Sequence, residues 1–304
     1  MRIISLLPSA TEIICLLDLQ DDLVGTTHEC DYPVGLDYLP VVTHSSIDKN
    51  ATSRAIDAQV HSALQHSNAL YSLDAQLIAT LHPDLLVTQS LCNVCAVDHS
   101  AVIQLAATLC PTPTIINLEP LCLNDMYATV QHVGETCGCA TLATQKITQM
   151  RQRVDEISVL ASTRVQHSGR LRVVFLEWLD PLFGSGHWIP EIIALAGGFD
   201  CLGETGQPAK RVSWSDVVAT DPDILVVSCC GFDIGQTQAD LTSLMGLPGW
   251  RDLSCVQSEC TYVVDGNAYF SRPSPRLIDS LEVMFNMLSD IPDQRYQRFG
   301  SNHG

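Results

Sequence analysis

Basic residues are scarce in this 304-residue chain: 16 lysines and arginines stand against 34 aspartates and glutamates, a formal net charge of −18. Nucleic acid and anionic membrane surfaces both need a basic face, so neither is expected as a partner, and a polar ligand should be neutral or cationic. No run of about 18 apolar residues occurs, which leaves no candidate transmembrane helix. The glycine-rich spellings of nucleotide and dinucleotide phosphate loops are missing, as is the Gly-x-Ser-x-Gly elbow of acyl chemistry. A secretory leader is not expected either. Ser5, Pro8, Ser9 and Glu12 interrupt the apolar start of the chain, which reads as a strand followed by a helix capped by Ser9-Ala10-Thr11-Glu12.

Cysteine is what the chain has in quantity, 13 residues together with 10 histidines. An odd count cannot pair fully within one chain, and reducing surroundings follow more readily than oxidising ones, so the expected location is cytoplasmic. Two clusters stand out, His28-Glu29-Cys30 and Cys92-Asn93-Val94-Cys95. Thiols three apart can be turned to one ion or to each other, and His28, Cys30, Cys92 and Cys95 together would suit zinc. Small packing residues and a redox dithiol are the other readings. A metal-dependent enzyme using His28, Glu29, Cys30, Cys92 and Cys95 is the alternative function.

An apolar content of 46% is ample for one or two cores. Buried strands are expected at 2–7, 24–27 and 85–88, with a helix from about Asp74 to Leu81 between the last two. This alternation points to a parallel sheet. The phrase His82-Pro83-Asp84-Leu85-Leu86-Val87 returns as Asp221-Pro222-Asp223-Ile224-Leu225-Val226, and Arg172 to Leu176 opens the second half as Arg2 to Leu7 opens the first. Two related lobes are expected. Between them Leu142, Ile147, Met150, Val154, Ile157 and Leu160 recur at helical spacing without proline, predicting one long amphipathic bridge over most of 140–163. The expected organisation is an α/β lobe at 1–136, a bridging helix at 137–166, a second α/β lobe at 167–290 and a polar tail at 291–304.

Leu7-Pro8-Ser9-Ala10-Thr11-Glu12, Asp31-Tyr32-Pro33, His82-Pro83-Asp84-Leu85, Phe183-Gly184-Ser185-Gly186, Ala196-Gly197-Gly198 and Arg272-Pro273-Ser274-Pro275-Arg276 resemble the cobalamin-binding proteins of ABC importers. Those belong to the helical-backbone (class III) periplasmic binding proteins, whose other members carry iron-siderophores and haem. The resemblance implies two Rossmann-like lobes joined by a single long helix, with a corrinoid such as cobalamin, or a related metal-chelate, held between them. It places the ligand contacts on loops at the carboxyl ends of strands, here Pro8, Ser9, Ala10, His28, Glu29, Ser45, Trp178, His187, Trp188, Tyr269, Phe270 and Arg272. The four aromatics would wall a broad macrocycle, and His187 would serve as axial ligand or as hydrogen-bond donor. Glu177 would contact ligand or pair with Arg272. Family members that feed a permease carry one acidic residue per lobe for docking. Gln76 and Ser215 stand at those positions here, with Asp74 and Asp216 close by, so permease docking is not expected and a cytosolic binding role is.

Overall fold

The computed structural model describes residues 1–66, 70–90 and 97–299. They divide into two compact units, the first made of 1–48, 58–120 and 124–149, the second of 49–57, 121–123 and everything from 150 onward. Both are α/β lobes. The first runs β1 (Ile3–Ser5), α1 (Pro8–Leu16), β2 (Leu23–Gly25), β3 (Thr43–Ser45), α2 (Ser53–His66), β4 (Tyr71–Leu73), α3 (Ala75–Leu81), β5 (Leu85–Thr88), α4 (His99–Thr108), β6 (Thr114–Asn117) and α5 (Leu123–Thr136). The long helix α6 (Ala140–Ser168) follows. The second lobe runs β7 (Leu171–Leu179), β8 (Leu182–Gly184), α7 (Ile189–Leu195), β9 (Gly198–Asp200), α8 (Trp214–Thr220), β10 (Ile224–Val227), α9 (Ile234–Leu241), α10 (Ser254–Gln257), β11 (Thr261–Val264), α11 (Leu277–Leu288) and β12 (Tyr296–Arg298).

The first sheet is wholly parallel in the order β2-β1-β5-β6, with Ile4 opposite Leu86 and Leu86 opposite Ile115. The second repeats that order in β9-β7-β10-β11, again parallel, with Val174 opposite Leu225 and Leu225 opposite Thr261. Central strands β1, β5 and β10 are buried along their lengths, and β7 is buried over 173–176, because helices cover both faces of such sheets, which explains their continuous apolar spelling.

The repeated Pro-Asp phrase is one device built twice. Helices α3 and α8 each end on a left-handed residue, His82 (φ 44°) and Asp221 (φ 40°), and the proline that follows cannot continue a helix. Asp84 then accepts the Arg2 N–H at 2.8 Å and donates its own N–H to the Arg2 carbonyl at 2.8 Å. Asp223 treats Arg172 in the same way, at 2.7 and 2.9 Å. Each arginine side chain reaches back to the helix end: Arg2 Nε to the Leu81 carbonyl, and the Arg172 guanidinium to the carbonyls of Thr220 and Asp221. Two neighbouring strands and the helix before one of them are thereby locked in register.

Three sequence expectations change. The helix after β1 is not capped by Ser9. It begins at Pro8, whose fixed φ suits the first turn, with Leu7 at the N-cap, and Ser9 and Glu12 are buried inside it. In α6, Leu160 is 56% exposed while Ala143, Ile147, Met150, Ile157 and Ala161 face inward, because 3.6-residue geometry carries the stripe onto the alanine. The expected polar tail contains β12, antiparallel to β11, with Tyr296 and Phe299 each 7% exposed and the Tyr296 ring edge-on to Tyr262 at 5.2 Å. Among the described residues of that stretch two apolar side chains, Tyr296 and Phe299, face the core, too few to register in composition. A further departure is the segment 49–57. Ile56 packs on the core of the second lobe, the Ser53 N–H bonds Asp240 at 2.8 Å, and Gln236 Nε2 bonds the Lys49 carbonyl at 3.0 Å.

Asp223→Ala is expected to cost about 1 kcal/mol through loss of the bond to the Arg172 N–H, and Tyr296→Ala about 3 kcal/mol through loss of a buried ring. Chemical denaturation of the two variants checks this ordering. An unchanged midpoint for Tyr296→Ala would mean that β12 adds nothing to the lobe.

Candidate functional site

At the carboxyl edge of the first sheet a run of buried hydroxyls does the positioning. Ser5 Oγ donates to the Leu7 carbonyl at 2.9 Å, and Thr11 Oγ1 bonds Ser5 Oγ at 2.8 Å. Thr11 and Thr27 hydroxyls each lie 3.1 Å from Cys30 Sγ, so that sulfur sits between two hydroxyl groups. Cys15, behind it, has its thiol pushed up to about 11 by burial, helped by Glu12 and Cys30. Pro8, Ser9 and Ala10 form the first turn of α1, with Ser9 and Ala10 buried. Ser45 closes β3, its hydroxyl accepting the Ile47 N–H at 3.1 Å.

His28 follows β2 and is fixed by Thr43 of β3. The Thr43 hydroxyl accepts the His28 backbone N–H at 3.2 Å and lies 2.7 Å from Nδ1, while the ring leans on Tyr71 at 5.1 Å. A hydroxyl already accepting one bond has its proton to give, and this arrangement favours Nδ1 as acceptor and the ring proton on Nε2. Nε2 is buried without a hydrogen bond: Glu29 Oε1 is 3.3 Å away, close enough for ionic attraction but poorly aligned for an N–H bond. Among the described residues no three His, Cys, Asp or Glu side chains are placed to hold a metal ion. Cys92 and Cys95 lie outside the described residues.

The corresponding edge of the second sheet is aromatic. Trp178, near the end of β7, is half-buried against Phe232 at 5.2 Å. Tyr269 is half-buried, its N–H bonded to the Asp265 carbonyl at 2.9 Å, and burial pushes its phenol up. Arg272 Nη2 bonds Asn267 Oδ1 at 2.6 Å. His187 stands at φ 52° just before α7, its ring tilted against Trp188 at 5.4 Å, and burial lowers its pKa, which keeps the imidazole neutral. Gly186 before it has no room for a side chain, since a Cβ would collide with the Ala209 backbone. Trp188 and Phe270 are not walls of a ligand site. Trp188 is 5% exposed with Nε1 bonded to the Phe270 carbonyl at 2.6 Å, and Phe270 is 1% exposed with its ring 5.1 Å from Phe175. The indole nitrogen must find an acceptor when buried, and Phe270, at φ 70°, turns its carbonyl to it.

Two residues with no chemistry-bearing motif in the sequence take part here. Ser185 donates its hydroxyl to Asp200 Oδ2, and Asp200 Oδ1 accepts the N–H groups of Leu202 at 3.0 Å and Gly203 at 2.8 Å. The Asp-x-x-Gly spacing of such a turn was the available signal. Glu177, beside Trp178, accepts the Gly186 N–H at 2.8 Å. A cavity of about 350 Å³ opens at the other end of this sheet, among Leu171, Ile224 and Tyr262 at the amino ends of β7, β10 and β11, away from all these loops.

Residues 3–268 match the periplasmic binding protein family. The chain belongs to that family, in its helical-backbone class. Vitamin B12-binding proteins of Yersinia pestis (strain Pestoides F) and Yersinia pseudotuberculosis (serotype O:1b, strain IP 31758) are each 25% identical over 293 residues, 96% of this chain and 87% of the relative. Among solved structures, the periplasmic vitamin B12 binding protein BtuF of Vibrio cholerae is similar with a TM-score of 0.67 at 21% identity, covering 96% of this chain and 98% of its own. A periplasmic haem-binding protein from Pseudomonas aeruginosa reaches 0.74 at 17% identity, with 100% and 99% covered. These two likenesses establish the fold of this periplasmic binding protein. Among its described residues no helix is long and apolar enough to cross a membrane.

Trp188→Phe should destabilise the protein by about 2 kcal/mol, because the buried Phe270 carbonyl is left without its donor. Trp178→Phe, at a half-exposed position, should cost clearly less. Thermal melts of the two variants side by side decide it, and equal losses would return Trp188 to the same surface role as Trp178.

Proposed function

We propose that this chain is a binding protein for a corrinoid, or a closely related metal-bearing macrocycle, taken up by the carboxyl-edge loops of its lobes. The observation that carries the reading is the similarity over 96% of the chain to proteins that bind vitamin B12. The edge loops suit such a ligand. Trp178 and Tyr269 offer flat apolar surface, while neutral His187 and Arg272 offer hydrogen-bond donors to polar substituents. The net charge of −18 disfavours strongly anionic ligands.

The protein acts in the cytosol, in buffering, delivery or salvage. Support comes from the odd cysteine count, which cannot pair fully within one chain and fits reducing surroundings. Docking on an ABC permease is no part of the proposal. Gln76 and Ser215 carry no charge, and the carboxylates nearest to them are engaged at helix ends. Asp74 accepts the Leu77 N–H at 2.9 Å as N-cap of α3, and Asp216 accepts the Ser213 N–H at 2.8 Å and its hydroxyl at 2.7 Å in the capping box of α8.

Cyanocobalamin added to the purified protein should quench tryptophan fluorescence to a one-to-one endpoint and co-elute with the protein as a red band. Trp178→Ala should weaken the complex about tenfold through loss of an aromatic contact. Hemin binding with no response to cyanocobalamin would replace the corrinoid by haem, and the failure of both would overturn the macrocycle reading.

A further inference from the structure

Ser185 and Gly186 are consecutive residues held by two different carboxyl groups. Ser185 Oγ bonds Asp200 of β9, and the Gly186 N–H bonds Glu177 of β7. The turn they open carries His187 and leads into α7, and it is laced to the segment after it: Gly184 N–H to the Lys210 carbonyl at 3.0 Å, His187 N–H to Gln207 at 2.7 Å, and Gly206 N–H to His187 at 2.9 Å. With the Ala209 backbone closed against Gly186, the turn has no slack. Any displacement of Gly186 must move His187 and 206–210 with it.

The two carboxyls are treated unequally. Asp200 receives three donors, Ser185 Oγ and two backbone N–H groups, which offset part of its burial. Glu177 is held by the Gly186 N–H, and the ionisable groups facing it are both acidic: Asp200 from β9 and the Cys230 thiol from the loop after β10, whose N–H bonds the Glu177 carbonyl at 3.1 Å. His187, on the turn itself, is kept neutral by its own burial and brings no compensating charge.

We propose that Glu177 is a proton-operated positioning residue, acting through Gly186 to set the turn that carries His187 and, with it, the affinity for ligand. Burial is the main cause that lifts its carboxyl to about 8, with Cys230 and Asp200 adding to it and the Gly186 N–H opposing. Protein surrounds the carboxyl on nearly every side, although the residue keeps some solvent contact, so a proton can exchange. A carboxyl whose folded pKa is raised stabilises the fold fully below its unfolded value of 4.5, progressively less as pH rises, and no longer once pH has passed about 8. Ionisation places a charge beside Asp200 and Cys230, and the turn must shift to relieve it.

The consequence for affinity rests on the function proposed above; the titration itself does not, and the tests are separable. In ligand-free protein, the Glu177 side-chain carboxyl carbon, assigned by comparison with Glu177→Gln, should titrate near 8 in NMR spectra. All glutamate carboxyls titrating below about 6, within the ordinary range, would overturn the proposal. Glu177→Gln keeps an oxygen for the Gly186 N–H and cannot ionise. It should flatten the fall in melting temperature that the parent protein shows between about pH 4.5 and about pH 8, whereas a purely structural role would leave both pH profiles parallel. Cyanocobalamin should bind several-fold more weakly above the transition than below it in the parent protein, and equally at both in Glu177→Gln. Cyanocobalamin failing at every pH, with the carboxyl still titrating near 8, would sink the ligand reading and leave the proton-operated turn standing.

Discussion

Each lobe depends on an aspartate that follows a proline and grips the backbone of an arginine one strand away. Asp84 on Arg2 and Asp223 on Arg172 take both the N–H and the carbonyl of their target, so β1 and β5 in one sheet, and β7 and β10 in the other, meet in a single register. Register decides which face every later side chain occupies. It therefore decides which residues arrive at the carboxyl edge: Thr88 and the chain after Ser5 in one lobe, Ser228 and Glu177 in the other. The clamp sits at the amino ends of the strands while the candidate ligand loops leave from the carboxyl ends, and structural and binding constraints are thus separated by the length of a strand.

The two edges are built from different materials. In the first lobe hydroxyls of Ser5, Thr11, Thr27 and Thr43 hold Cys30 and His28 through short polar bonds, and the interior beneath the loops is polar although it is buried. In the second lobe the loops rest on Trp188, Phe270 and Phe175, a dry aromatic base with one indole bond through it. Glu177 and Asp200 are themselves largely buried, and burial makes every bond to a carboxyl strong and every missing one costly.

The repeated Pro-Asp phrase and the strand and helix alternation are legible in the sequence because they are local: turn chemistry and an apolar run announce themselves within six residues. So is α6, whose proline-free periodicity spans many turns. The misreadings have a common physical root, since each depended on a partner distant in the chain. Ser9 has the spelling of a cap, yet Pro8 starts the helix and Ser9 is buried within it. Trp188 and Phe270 have the composition of a ligand wall, yet each satisfies the other across 82 residues. Tyr296 and Phe299 lie in a polar stretch whose pairing with β11 has no local signature. Among the candidate site residues, His28, His187, Tyr269 and Arg272 lie on loops while Ser45 and Trp178 lie in the last residues of β3 and β7, and nothing in their spelling reveals which hydroxyl or carboxyl orients each one.

Residues 49–57 bear on how this chain becomes folded. They precede most of the first lobe in order of synthesis yet supply Ile56 to the second lobe's core and the Ser53 N–H to Asp240. The second lobe is consequently not a contiguous stretch of polypeptide, and a fragment starting at Met150 would lack part of its own interior. On a growing chain this strap must wait about 190 residues for its partner, a long loop to close before the contact can reward it. Such an arrangement makes the two lobes finish together: neither a gene split at the long helix nor a proteolytic cut there would release two intact halves.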